Sequence, residues 1–206
     1  MRWPVDVLVE GPTDLFVARR LLHACGLEVG TVYPQRGCGY VCTMAPKLAP
    51  ATVHAPLLVL LDYMDVEEPG DCPPRVVQRH RPALIRPEHY LLRLVVRELE
   101  SWLLADREAI AGWLGIGLAR IPEDPQAEPD PKRTLVNLAR LSRRRALREA
   151  LVPRPGHAAV VGPDYVGQTG RFIQEIWRPD RARQRAGSLD RCLLRLDDLR
   201  VRLDGG

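Results

Sequence analysis

Val5-Asp6-Val7-Leu8-Val9-Glu10, Leu57-Leu58-Val59-Leu60-Leu61-Asp62 and Leu91-Leu92-Arg93-Leu94-Val95-Val96-Arg97-Glu98 are three short apolar runs, and each finishes on a carboxylate. Runs of this length, followed by stretches of helical periodicity, read as buried strands of a parallel sheet. In an open parallel sheet, ligands sit beyond the carboxyl ends of the strands. Glu10, Asp62 and Glu98 are therefore expected on one rim, although they lie far apart in the chain. Carboxylates gathered in this way repel one another, and a divalent cation is the usual remedy. The pattern points to magnesium, and magnesium points to phosphate chemistry.

Working outward, Gly11-Pro12-Thr13-Asp14 combines a tight turn, a helix-start proline and two capping side chains. A helix from Leu15 to Ala24 follows, and Gly26 ends it. Leu27 to Tyr33 reads as a second strand. A glycine-flanked loop, Gln35 to Tyr40, leads into a short helix reaching Leu48. Residues 55–61 form the third strand, a helix spans about Pro74 to His80, and residues 89–96 form the fourth strand. This alternation predicts an α/β fold, with a Rossmann-like central parallel sheet of about four strands flanked by helices. Two helices come next, Glu98 to Ala105 and Arg107 to Leu114. A polar, proline-rich connector runs from Ile121 to Pro131. Beyond it the periodicity is helical over Lys132–Leu141, Arg143–Leu151, Gln168–Trp177 and Leu189–Leu203. The expected organisation is an α/β core over residues 1–120 and a mostly helical, basic part over 121–206 packed on it. A single domain is the open alternative.

With 206 residues and 46% hydrophobic content, the chain can bury a full core. No apolar run approaches the roughly 18 residues of a membrane span. Met1-Arg2-Trp3-Pro4 leads into the first strand without a signal-peptide pattern, so a cytoplasmic protein with no membrane partner is expected. The five cysteines are scattered and odd in number, which argues against a disulfide framework. Cys38 and Cys42 lack the spacing and partners of a zinc set. The net charge of +4 hides an asymmetry: residues 1–130 balance to −5 and residues 131–206 to +9. An acidic half beside a basic half suits a polyanionic substrate. A solvated helical surface is the competing reading, because 28 of the 30 basic residues are arginine.

The candidate residues follow from these positions. Glu10, at a strand end beside a glycine turn and a helix start, suits metal binding or proton transfer; a simple capping role is the alternative. Asp62 ends the longest apolar strand, and Asp65 follows within a turn. Glu67, Glu68 and Asp71 read as a solvated acidic loop. Glu98 and Glu100 are expected to aim at the same rim, unless Arg97 neutralises Glu98. Trp102, Leu103 and Trp113 read as core. Lys132, one of only two lysines, suits an oxyanion or phosphate contact, and a plain surface charge is the alternative. Arg36, Arg133, Arg143, Arg144, Arg145 and Arg148 are the candidate contacts to a nucleic-acid backbone.

Leu8-Val9-Glu10-Gly11-Pro12-Thr13-Asp14, with a later strand ending in Asp62, resembles the TOPRIM domain of topoisomerases, primases and OLD-type nucleases. Over nearly the full length the chain is similar to a TOPRIM-related bacterial family, domain of unknown function 4276. The stretches that carry this are Arg36-Gly37-Cys38-Gly39-Tyr40, Leu61-Asp62-Tyr63, Arg97-Glu98-Leu99-Glu100-Ser101-Trp102-Leu103-Leu104-Ala105-Asp106, Asp130-Pro131-Lys132, Gly162-Pro163-Asp164-Tyr165 and Ser188-Leu189. The resemblance implies Glu10 as acid/base or metal ligand and Asp62 as a Mg²⁺ or Mn²⁺ ligand. It implies a metal-dependent nuclease acting on DNA or RNA, working in phage defence with an ATPase partner. The second acid of the family's Asp-x-Asp pair is Met64 here, and the next acid is Asp65. Residues i and i+3 of a strand do not share a face, so Asp65 joins the site only if the chain turns directly after Asp62. The departure keeps a second reading open, a catalytically silent TOPRIM-like binding subunit. A hydrolase or transferase of small phosphorylated molecules is a third.

Overall fold

The computed structural model describes residues 3–205; Met1 and Arg2, read above as the lead into the first strand, lie outside them. Two compact units divide the chain. One comprises the chain up to Val96 together with the stretch from Ser188 onward, and the other is Arg97–Gly187. The connector at 121–131 lies inside the second unit, so the division runs at 96/97 and 187/188 rather than at 120/121.

The first unit is an α/β sandwich. Its elements are β1 (Pro4–Leu8), α1 (Pro12–Ala24), β2 (Glu28–Val32), α2 (Gly37–Leu48), β3 (Leu57–Asp62), α3 (Tyr63–Val66), α4 (Pro73–His80) and β4 (Tyr90–Val95). All strand pairings are parallel, in the order β2-β1-β3-β4. The continuous apolar runs explain this: every residue of β3 from Leu57 to Leu61 is buried, as a strand covered on both faces requires. Leu57, Val59 and Leu61 join Tyr90, Leu92 and Leu94 in one core layer with Val41 and Ala45 of α2 and Val76 of α4.

α1 starts with Gly11 in an extended conformation and Pro12 in its first turn. Asp14 accepts the Gly11 N–H at 3.0 Å, so it caps from inside the first turn rather than from the cap position itself. Val17, Ala18, Leu21 and Leu22 form its buried face. Gly26 at φ +72° ends it, and the Leu27 N–H returns to the Leu22 carbonyl at 2.8 Å. The loop expected over 35–40 is shorter than read: α2 already begins at Gly37, whose φ of +77° makes the sharp entry.

The second unit is helical: α5 (Leu99–Leu104), α6 (Arg107–Leu114), α7 (Pro131–Arg140), α8 (Arg145–Leu151), α9 (Tyr165–Glu175) and α10 (Pro179–Ala182). Trp102, Leu103 and Trp113 are core, as expected. The last helix, α11 (Gly187–Gly205), belongs almost wholly to the first unit.

In the second unit, the Gly162 N–H donates to the Leu151 carbonyl at 2.9 Å. A Cβ at 162 would collide with the Ala150 carbonyl and would lie 2.6 Å from the Val152 nitrogen. Both neighbours are main chain and cannot swing aside. Gly162→Ala is expected to destabilise by about 2 kcal/mol, a fall in Tm of about 4–8 °C. An unchanged Tm would contradict this close approach.

Candidate metal centre

The strand order reverses between β1 and β3, which makes their carboxyl ends the switch point of the sheet. Glu10 lies two residues beyond the end of β1, and Asp62 is the last residue of β3. They meet there. A Glu10 carboxylate oxygen accepts the Asp62 N–H at 2.9 Å. The Glu10 carbonyl accepts the Gly37 N–H at 3.0 Å, which ties the start of α2 to the same point.

The chain turns directly after Asp62. Asp62 is the cap of α3, a single helical turn over Tyr63–Val66. That turn brings Asp65 round, where a continuing strand would have sent it to the opposite face. Glu10, Asp62 and Asp65 each offer an oxygen, all within 4.8 Å of one another. Opposite ligands of an octahedral Mg²⁺ lie roughly 4.2 Å apart, twice its ordinary bond length. The set is all oxygen, charged and half-exposed, so its chemistry fits a hard divalent cation.

The electrostatics agree. Burial pushes the Glu10 carboxyl up to about 7, the Asp14 and Asp65 charges add to this, and the Asp62 N–H opposes it. Cys38, whose spacing to Cys42 did not suit a zinc set, stands beside the site. Its sulfur is 3.8 Å from the Asp65 carbonyl and 3.8 Å from the Cys42 sulfur. Burial and then the Glu10 charge push its thiol up to about 12. The signal was present in Gly37-Cys38-Gly39, but nothing in that loop's sequence located it against Glu10. Arg36, the residue before α2, is exposed, and its guanidinium lies 5.7 Å over the Tyr40 ring. In the acidic loop Glu68 is exposed, as expected, and Arg79 lies 2.8 Å from Asp71 and 3.3 Å from Glu68.

The remaining candidates belong to the second unit. Lys132 donates its backbone N–H to one Glu98 oxygen at 2.5 Å and its ammonium to the other at 3.0 Å. The ammonium is also 3.6 Å from Glu100. Glu100 is buried, and its other oxygen accepts the Tyr165 hydroxyl at 2.9 Å. Burial pushes Glu100 up to about 7, opposed by Lys132. Burial and the Glu100 charge hold Tyr165 well above the usual phenol range. The contact that anchors Glu100 to Tyr165 spans 65 positions and has no local signature in the sequence. Among the arginines, Arg133, Arg143, Arg144 and Arg145 are exposed. Arg145 pairs with Glu149 at 2.7 Å, and Arg148 donates to the Ser142 carbonyl at 2.7 Å.

Two solved structures resemble the chain, both of the C-terminal region of the OLD protein of Xanthomonas campestris pv. campestris. The one phased with iodine has a TM-score of 0.43 and 15% identity, and the match covers 100% of this chain and 99% of that one. The one phased with platinum has a TM-score of 0.46 and 15% identity, with 99% and 96% covered. No family model and no curated protein matches the chain. Among the described residues, no helix is long and apolar enough to cross a membrane.

Glu10 gives a pH signature. Its folded value, about 7, lies above its ordinary 4.5, so the folded state favours the protonated form. Its contribution to stability is full at acid pH and is lost as pH rises toward 7. In metal-free buffer, Glu10→Gln should therefore gain Tm relative to the parent between about pH 5 and about pH 8. A gap that stays constant with pH would contradict a raised Glu10.

Proposed function

We propose that the chain is a Mg²⁺- or Mn²⁺-dependent, TOPRIM-like nuclease that hydrolyses phosphodiesters of DNA or RNA. The observation that carries this is the convergence of Glu10, Asp62 and Asp65 at the switch point of a parallel sheet. A bound divalent ion supplies Lewis-acid polarisation of a phosphoryl oxygen and a more acidic water. Asp62 and Asp65 would hold that ion. Glu10, with its carboxyl near neutrality, can ligate when ionised or exchange a proton with water. Exposed Arg36, next to α2, is available to a phosphate of the substrate backbone. The resemblance of Leu8–Asp14 to TOPRIM domains supports the same reading. It extends the proposal to an ATPase partner protein, a role in phage defence and a cytoplasmic location.

Glu98, Glu100 and Lys132 are proposed, within the second unit, to hold metal and to compensate charge. The exposed arginines Arg133, Arg143, Arg144 and Arg145, with Arg148, are proposed contacts to the nucleic-acid backbone. The replacement of a second Asp by Met64 supports the rival reading, a subunit that binds metal or partner without cutting.

The test is cleavage of DNA and RNA in Mg²⁺ or Mn²⁺. Glu10→Gln and Asp62→Asn are each expected to lower the rate by about two orders of magnitude or more, with the fold intact by circular dichroism. Cleavage that persists in both variants would remove the assignment. Metal binding without cleavage of either polymer would favour the silent subunit. Lys132→Met is expected to slow cleavage; a fall in Tm with unchanged rate would mark Lys132 as purely structural.

A further inference from the structure

We propose that the outer edge of β4 accepts an extended acidic segment of a partner protein as a fifth strand. This is independent of the metal reading. β4 pairs with β3 and, among the described residues, with no other strand. The Leu57 N–H bonds to the His89 carbonyl, which fixes the phase of the parallel ladder. His89, Leu91 and Arg93 thus turn their main-chain groups toward β3, and Tyr90, Leu92 and Leu94 turn theirs outward. Two bonds verify this. The Leu92 carbonyl accepts from Arg93 Nε at 2.6 Å, and the Val96 N–H donates to the Ser188 hydroxyl at 3.2 Å. Side chains thus cap the edge at two points, with the main chain of Leu94 between them.

This edge is the floor of a cleft of about 590 Å³. Pro73, Pro74 and Val77 of the α4 side form one wall, and Ser188 and Arg191 of α11 form the other. Its volume falls within the roughly 300–1,000 Å³ of ligand clefts. An open sheet edge is normally blunted by proline, charge or a covering element; here the flanking helices leave a slot instead.

The charge around the slot selects the occupant. Arg93 and Arg191 line the cleft, and Arg81 and Arg195 join Arg93 in an adjoining pocket on the same strand. Burial holds Arg93 below the usual arginine range, and the Arg195, Arg191 and Arg81 charges add to this. Among the described residues, an acid pairs with Arg195, from Asp198 at 3.5 Å, and none pairs with Arg81, Arg93 or Arg191. Strand side chains alternate between faces, so the guest is dictated position by position. Residues beside Leu92 and Leu94 would meet the apolar α4 side. The alternate residues would stand beside Arg93 and the α11 arginines. An extended peptide alternating apolar and acidic residues satisfies both walls, with affinity from the main chain and specificity from the alternation. A nucleic acid would use the arginines and leave the strand edge and the proline wall idle.

The probe is a fluorescent, acetylated peptide of alternating Val and Glu, about six residues long, the length of an ordinary strand. Its binding to the full chain is read by polarisation. The proposal expects it to bind at least tenfold tighter than a peptide of the same composition in two blocks. It expects N-methylation at alternate residues to cost at least tenfold, and Arg191→Gln, an exposed position, to weaken binding about as much as Arg93→Gln. Equal binding of alternating and block peptides, indifference to N-methylation, or displacement by an oligonucleotide of matched charge would overturn it. Concentration-dependent dimerisation that the peptide does not disrupt would also overturn it, by assigning the edge to a second copy of the chain.

Discussion

A single hydrogen bond, from the Asp62 N–H to the Glu10 carboxylate, joins the ends of β1 and β3. It fixes a carboxylate inside the gap where the strand order reverses, close to Asp65 and Asp14. Burial and like charge make this arrangement costly without a cation. The fold supplies what holds it there. β1 and β3 are paired in register, Gly11 ends the extended segment after Glu10, and the Gly37 N–H holds the Glu10 carbonyl. The acidic grouping is thus a consequence of parallel topology.

The legible part of this protein was the part written in contiguous apolar residues. β3 and β4 declared themselves because both faces are covered, leaving no polar alternation to confuse with a surface strand. α1 was bounded by Pro12 and Gly26, whose backbone preferences act locally. Asp65 was legible only conditionally, because its participation hinged on a four-residue helix too short to leave a periodicity. Cys38 beside Asp65, Tyr165 on Glu100 and the return of α11 to the first unit depend on distant packing, which no window of sequence contains. The polar, proline-rich stretch at 121–131 looked like a boundary by composition, yet it is folded within one compact unit.

The second unit contains a different electrostatic solution. Glu98 and Glu100 are buried carboxylates compensated by one lysine and one tyrosine. Removing one partner of such a set leaves a buried charge, so these residues are sensitive to substitution whatever chemistry they join. In the first unit the acids at the switch point stand within 4.8 Å of one another, and a metal ion is the compensation their geometry suits.

The most direct measurement of the central claim is a crystal structure of the full chain grown with Mn²⁺ and read by anomalous scattering. The account predicts a peak bonded to carboxylate oxygens of Glu10, Asp62 and Asp65. A chain saturated with Mn²⁺ but with no anomalous peak at these three acids would contradict it.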